Sequence, residues 1–251
     1  MKDNIIKGRN GYDIPCVDEI NGNEDLAVVI SHGFGSSKKS PAAVAVAERL
    51  EKMGIGTCRF DFPAHGESPV NGDMLRIDNC LRDIAAVEEH VLKLAPKAEI
   101  CYFSSSFGAY MNIIYLASGM GTGKKSFLRC AAVNMPGIMQ RELTEERVAK
   151  IEKDGFLIVD LDYMRPLKIT KAFLEDIGSH DVFEIYVPGT AEIAMIHGTA
   201  DKTAMPEDAR RFASFAGAQL TEVEGADHIF MVPGGMETVV ETAADFFSRH
   251  K

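Results

Sequence analysis

Tryptophan is absent from the 251 residues, and no apolar run approaches the roughly 18–20 residues that a membrane-spanning helix needs. The opening residues Met1, Lys2, Asp3 and Asn4 lack the apolar core of a secretory leader, so the expected location is the cytoplasm. Positive charge is also scarce: 27 Lys and Arg stand against 37 Asp and Glu, a formal net charge of −10. Such a chain offers no electrostatic footprint for a nucleic-acid backbone or an anionic membrane, and a small-molecule partner is expected, with the oligomeric state left open. Lys38-Lys39 and Lys124-Lys125 read as short basic pairs on solvated turns. The five cysteines form no C-x-x-C pair, so buried reduced thiols are expected rather than disulfides or a zinc site. The seven histidines show no H-x-x-x-H spacing, and nothing in the sequence calls for a metal or another cofactor. Gly123-Lys124 lacks the earlier glycine and the context of a phosphate-binding loop.

With 46% hydrophobic residues, the chain fits one α/β domain, or one with an insertion, and not a disordered, collagenous or coiled-coil protein. Short apolar runs at 26–30, 56–60, 99–103, 130–133, 192–196 and 219–223 alternate with segments of helical period. That alternation predicts a mostly parallel sheet with helices on both faces. Ser40 caps and Pro41 opens a helix striped by Ala43, Val46, Ala47 and Leu50. A second stripe runs from Ile77 through Leu94 and halts at Pro96, and a third runs from Met236 to Phe247. The first twenty residues predict an antiparallel hairpin turning at 8–11. Residues 137–189 exceed what a strand-to-helix connection needs, and predict an inserted cap between core segments 1–136 and 190–251. Within it, 143–153 predicts a helix, 156–161 and 164–169 a hairpin, and Thr170 the start of a short helix.

Ser104-Ser105-Ser106-Phe107-Gly108 follows the run 99–103 and opens a helix. A strand–turn–helix this tight strains its central residue and needs small neighbours two before and two after. Gly108 fixes the register on Ser106 as the nucleophile, with Ser104 where a strict motif has glycine. His32-Gly33-Phe34-Gly35, after the first strand, supplies a turn able to aim a backbone N–H at an oxyanion; the second N–H comes from the residue after the nucleophile, pairing Phe34 with Phe107. His32 itself reads as an orienter of its loop. Asp201 and His228 each emerge beyond the C-terminal end of a strand, where ligand crevices form. The chain order Ser106, Asp201, His228 is that of one of the three familiar serine-hydrolase arrangements. Asp162, Asp181 and Asp227 remain alternatives for the acid, with Asp201 preferred because it directly follows a strand.

On these motifs, together with Arg59-Phe60-Asp61-Phe62, His65-Gly66-Glu67-Ser68 and Glu224-Gly225-Ala226-Asp227-His228, the chain resembles the α/β-hydrolase superfamily over nearly its whole length. It is most similar to the capped feruloyl/cinnamoyl esterase group and its serine-peptidase-like (S33-type) relatives. Ser104 and Pro63-Ala64 depart from that group's pattern. The resemblance implies an eight-stranded, mostly parallel sheet and hydrolysis of a small carboxylic ester, aryl or cinnamoyl among the candidates, through an acyl-enzyme. It also implies structural roles for Asp61 and His65. An amidase or aminopeptidase, a thioesterase, and a non-catalytic binding protein are the alternatives on the same fold. Phe156, Leu157, Ile158, Leu161, Tyr163 and Met164 are the candidate cap walls of a substrate pocket, although a hairpin must bury one face in any case.

Overall fold

The computed structural model describes residues 2–160 and 164–249. Eight strands form one sheet: β1 (Lys2–Lys7), β2 (Asp13–Glu19), β3 (Leu26–Ser31), β4 (Gly56–Phe60), β5 (Glu99–Ser105), β6 (Lys125–Arg129), β9 (Glu192–Gly198) and β10 (Gln219–Val223). Their order is β1-β2-β4-β3-β5-β6-β9-β10. The hairpin β1–β2 pairs antiparallel, β2 joins β4 antiparallel, and every later pairing is parallel.

Alternation along β3 builds the two cores, because successive side chains leave opposite faces of a strand. Leu26, Val28 and Ile30 pack with Val46 and Leu50 of α1 (Pro41–Glu51) and with Val239, Phe246 and Phe247 of α9 (Gly235–Ser248). Ala27 and Val29 pack on the other side with α2 (Ile77–Leu94), α3 (Phe107–Ser118) and α8 (Pro206–Ala216). Ser40 caps α1 by accepting from the Ala43 amide, as its sequence predicts.

The strand expected at 130–133 lies five residues earlier, at Lys125–Arg129. Its polar residues hide it from a hydropathy reading. Lys125 is not on a solvated turn: its amine is buried over the Phe246 ring at 4.7 Å. Lys38 is buried too, with Nζ 3.0 Å from Asp61 Oδ2. All five cysteines are buried and free.

Between β6 and β9 the chain forms α4 (Met135–Glu142), α5 (Glu145–Asp154), β7 (Phe156–Val159), β8 (Leu167–Thr170), α6 (Lys171–Gly178) and α7 (Val182–Ile185). The antiparallel pair β7–β8 and α6 fall where the sequence places them, whereas α4 begins two residues before position 137 and α7 was not foreseen. This segment is pinned to the rest of the fold. The Arg165 guanidinium donates to the Ser68 carbonyl at 2.8 Å, Lys168 Nζ pairs with Asp73 at 2.7 Å, and Arg76 forms a two-pronged pair with Asp176. A Cβ on Gly72 would stand 1.7 Å from the Lys168 carbonyl oxygen, so only glycine admits this approach.

Candidate active site

Strand β5 ends at Ser105, and the next residue turns at φ 51°, ψ −114°, a left-handed conformation that a serine adopts only when its surroundings impose it. Three backbone bonds impose it here. The Ser106 amide donates to the Arg129 carbonyl at 2.9 Å, and the Ser106 carbonyl accepts from Tyr110 at 3.1 Å and Ala132 at 3.3 Å. Two residues on, a Cβ at Gly108 would stand 2.5 Å from the His32 carbonyl oxygen, so glycine alone lets α3 pack against the end of β3. Ser104 is fully buried, and its hydroxyl has no hydrogen-bond partner among the described residues.

Ser106 Oγ lies 3.0 Å from His228 Nε2, and His228 Nδ1 lies 2.7 Å from Asp201 Oδ2. His228 follows β10 and Asp201 follows β9, so neighbouring parallel strands deliver the two side chains to the same edge of the sheet. Asp201 is 2% exposed, and its other oxygen accepts from the amides of Thr203 and Ala204 at 2.8 and 3.0 Å. Burial alone would raise this carboxyl. Hydrogen bonds from His197, His228 and the Thr203 amide outweigh burial and hold it well below the usual carboxylate range. It therefore stays ionised against the imidazole. The other acids are engaged elsewhere: Asp181 caps α7 through the Phe183 amide, and Asp227 Oδ1 accepts from the amides of Ile229 and Met231. Asp162 lies outside the described residues.

The 33–34 turn runs alongside the serine, for a Cβ at Gly33 would stand 3.3 Å from Ser106 Cβ and 3.9 Å from Ser106 Oγ. The rings of Phe34 and Phe107 meet edge-on at 5.5 Å, and Phe107 is the first residue of α3, whose amide has no acceptor within the helix. His32 accepts from the Phe62 amide at Nε2 (3.1 Å), so its proton sits on Nδ1, 2.7 Å from the Gly33 carbonyl. Burial pushes this imidazole toward the neutral form. It is a loop orienter rather than a base. Asp61 accepts from the Lys38 amide and ammonium and from the Glu67 amide, tying this turn to the one after β4. Its neighbour His65 bonds the Pro63 carbonyl at 2.9 Å, and burial lowers its pKa to about 3.

Sequence patterns gave no sign of two further residues at the site. His197 Nε2 lies 2.9 Å from the Ala204 carbonyl oxygen and 3.3 Å from Asp201 Oδ2. Arg129, buried at the end of β6, donates to the His228 carbonyl at 3.0 Å and lies over the Phe230 ring at 5.1 Å. One residue thus holds the serine through its carbonyl and the histidine through its guanidinium. The unrecognised strand β6 concealed it.

A cavity of about 340 Å³ contains Ser106 and His228 and is walled by Met135, Ile138 and Met139 of α4, Leu143, and Leu157 and Val159 of β7. The cap residues expected there divide by strand alternation. Leu157 faces the cavity, joined by Val159, which was not among them; Phe156 does not, and instead its ring takes the Lys168 ammonium at 4.6 Å beside a separate depression near Asp73. Ile158 and Met164 are exposed away from it, and Leu161 and Tyr163 lie outside the described residues. The main walls come from α4, whose signal was present in the sequence: Asn134 as cap, Pro136 in the first turn, and apolar residues three and four apart.

Among the described residues, two groups bring metal-type donors together: Cys16, Asp18 and His90, and Cys130, His197 and Asp201. In the second, Asp201 is already bonded to His228, and burial pushes the Cys130 thiol up to about 12. Its donors serve the carboxylate.

Strand order, crossover helices and the serine turn together make this an α/β-hydrolase. Residues 22–153 match the family described as serine aminopeptidase, S33, and the chain belongs to that family. Among solved structures it is similar to Est1E from Butyrivibrio proteoclasticus with bound ferulic acid (TM-score 0.81, 19% identity, 98% of this chain and 99% of that one). It is also similar to alpha/beta hydrolase domain-containing protein 10 from mouse (0.78, 16%, 100% of both) and to an esterase from Pyrococcus furiosus (0.72, 19%, 99% and 90%). At these identities the likeness is one of fold. No curated protein sequence matches the chain. No helix among the described residues is long and apolar enough to cross a membrane.

Proposed function

We propose that the protein hydrolyses a small carboxylic ester through an acyl-enzyme. His228 Nε2 takes the proton of Ser106, whose oxygen attacks the acyl carbon; the oxyanion rests on the backbone N–H groups of Phe34 and Phe107. Collapse of the tetrahedral adduct breaks the bond to the leaving oxygen, which takes the proton from His228. Water, deprotonated by the same imidazole, then attacks the acyl carbon, and the bond to Ser106 Oγ breaks as that oxygen takes the proton back from His228, releasing the acid. Asp201 fixes the tautomer and stabilises the imidazolium. The observation that carries this reading is the unbroken chain of contacts Ser106 Oγ–His228 Nε2 (3.0 Å) and His228 Nδ1–Asp201 Oδ2 (2.7 Å) at a strained serine.

Residues 137–189, with Met135 and Pro136 that open α4, act as a cap that supplies apolar walls and excludes water but gives no proton-transfer group. An ester fits the cavity better than a peptide with a free amino terminus. Glu142, the carboxylate among its described lining residues, is already 3.5 Å from the Arg147 guanidinium. Treatment with a fluorophosphonate followed by peptide mapping tests the proposal: the adduct is expected on Ser106, and an unmodified protein would overturn it.

A further inference from the structure

The cavity has a polar far end. It begins at Ser106, where the Ala132 amide bonds the Ser106 carbonyl, and the chain then enters α4, whose apolar residues Met135, Ile138 and Met139 wall it. At the other end of α4 stand Glu142 and, from α5, Arg147. The eight residues of α4 span roughly 10 Å at about 1.5 Å per residue, which sets the scale of the apolar slot they wall.

Arg147 Nη1 donates to the Glu142 main-chain carbonyl at 2.7 Å and lies 3.5 Å from the Glu142 carboxylate. The two charges are unequally placed: the Arg147 side chain is 33% exposed and that of Glu142 is 64% exposed, so the pair is a solvated one of small net strength, and the carboxylate can turn to water when another anion takes the guanidinium. Arg147, Glu142 and Leu157 also line an adjoining surface depression with Arg141, Lys150 and Glu146. Lys150 is itself 3.6 Å from the Asp154 carboxylate, and Arg147 is the one Lys or Arg among the described residues that line the cavity holding Ser106.

We infer that the substrate is an ester carrying an anionic group, carboxylate or phosphate, about 10 Å from the scissile carbonyl across an apolar spacer, with Arg147 as the residue that receives the anion. This rests on the proposed esterase reading. The guanidinium offers paired donors to planar or tetrahedral oxyanions, and the apolar slot between the ends rejects a charge placed nearer the carbonyl. Lys150 and Arg141 at the mouth draw the anion in and strengthen its hold only at low ionic strength.

The test compares kcat/KM for methyl esters of one chain length whose far end is a carboxylate, a phosphate or a neutral methyl ester, with lengths bracketing the estimated separation. The wild-type enzyme is expected to favour at least one anionic series by about fivefold or more at low salt, with the preference shrinking as salt is added. The better of the two anionic series identifies the natural oxyanion. Arg147→Gln should abolish the preference, Arg147→Glu should reverse it, and Arg147→Lys should keep its direction. Lys150→Gln, further out, should reduce it in part. An enzyme that reacts with fluorophosphonate and hydrolyses charged and neutral esters equally would overturn the anionic-end inference while leaving the esterase reading intact. An enzyme that neither reacts nor hydrolyses any of them would overturn both.

Discussion

His197 shares the oxygen of Asp201 that His228 uses: its Nε2 lies 3.3 Å from Oδ2, and His228 Nδ1 lies 2.7 Å from the same atom. Two imidazoles and two backbone amides therefore surround one buried acid. Removing His197 leaves that charge with less compensation, so the pKa of Asp201 should rise.

His197→Phe should lower kcat by about tenfold, a smaller loss than the roughly 10⁴-fold expected for Asp201→Asn, whose change of acceptor pattern disturbs the His228 tautomer directly. Because Asp201 would then protonate at a less acidic pH, the low-pH edge of stability should move upward in His197→Phe. Paired kinetics and acid-unfolding curves check both. An acid midpoint identical to wild type would show that His197 does not support the carboxylate.

Ser104 sits where strict serine turns have glycine, and its hydroxyl is buried without a partner among the described residues. Burying an unpaired hydroxyl costs on the order of 1–3 kcal/mol. Ser104→Ala should therefore keep full activity and gain stability, by about 1 kcal/mol in denaturant unfolding. A destabilised Ser104→Ala would mean that the hydroxyl has a partner in solution.

Asp83 lies under the amino-terminal hairpin, accepting from the Tyr12 hydroxyl at 2.9 Å and from Asn10 Nδ2 at 3.2 Å. Burial raises its pKa to about 7, against the opposing hydrogen bonds from Tyr12 and Asn10. A raised folded-state value favours the protonated carboxyl. The stability it gives is complete below the unfolded value near 4 and is lost as pH rises through about 7. Asp83→Asn should consequently gain on the wild type across that window, by on the order of 4 kcal/mol at pH 8 relative to pH 4. Urea midpoints for both proteins across this range check it, and a gap independent of pH would contradict it.

Much of the fold was legible because strands buried on both faces, such as β3 and β5, carry apolar runs at 26–30 and 100–103. Strand β6 escaped because the residues that bury Lys125 and Arg129, Phe246 and Phe230 among them, lie about a hundred positions away along the chain. Lys38 was misread for the same reason, since its partner Asp61 is brought up by another strand. At the site, Ser106, Asp201 and His228 could be picked out because each follows a strand at the same sheet edge. Local pattern did not reveal Arg129, His197 and the α4 wall as parts of that site, because their roles exist only through contacts between distant segments. The hairpin was foreseen, but its facing was not: a strand has two faces, and alternation alone does not say that Leu157 and Val159, rather than Phe156, look toward Ser106.

The most direct measurement is the turnover of Ser106→Ala beside that of Ser105→Ala on an ester that the wild type hydrolyses, with folding of each variant checked by thermal unfolding. The serine turn and its contact with His228 predict a loss of roughly 10⁴- to 10⁶-fold in kcat for Ser106→Ala and near wild-type turnover for Ser105→Ala. A folded Ser106→Ala variant with substantial turnover would contradict the assignment of Ser106 as nucleophile.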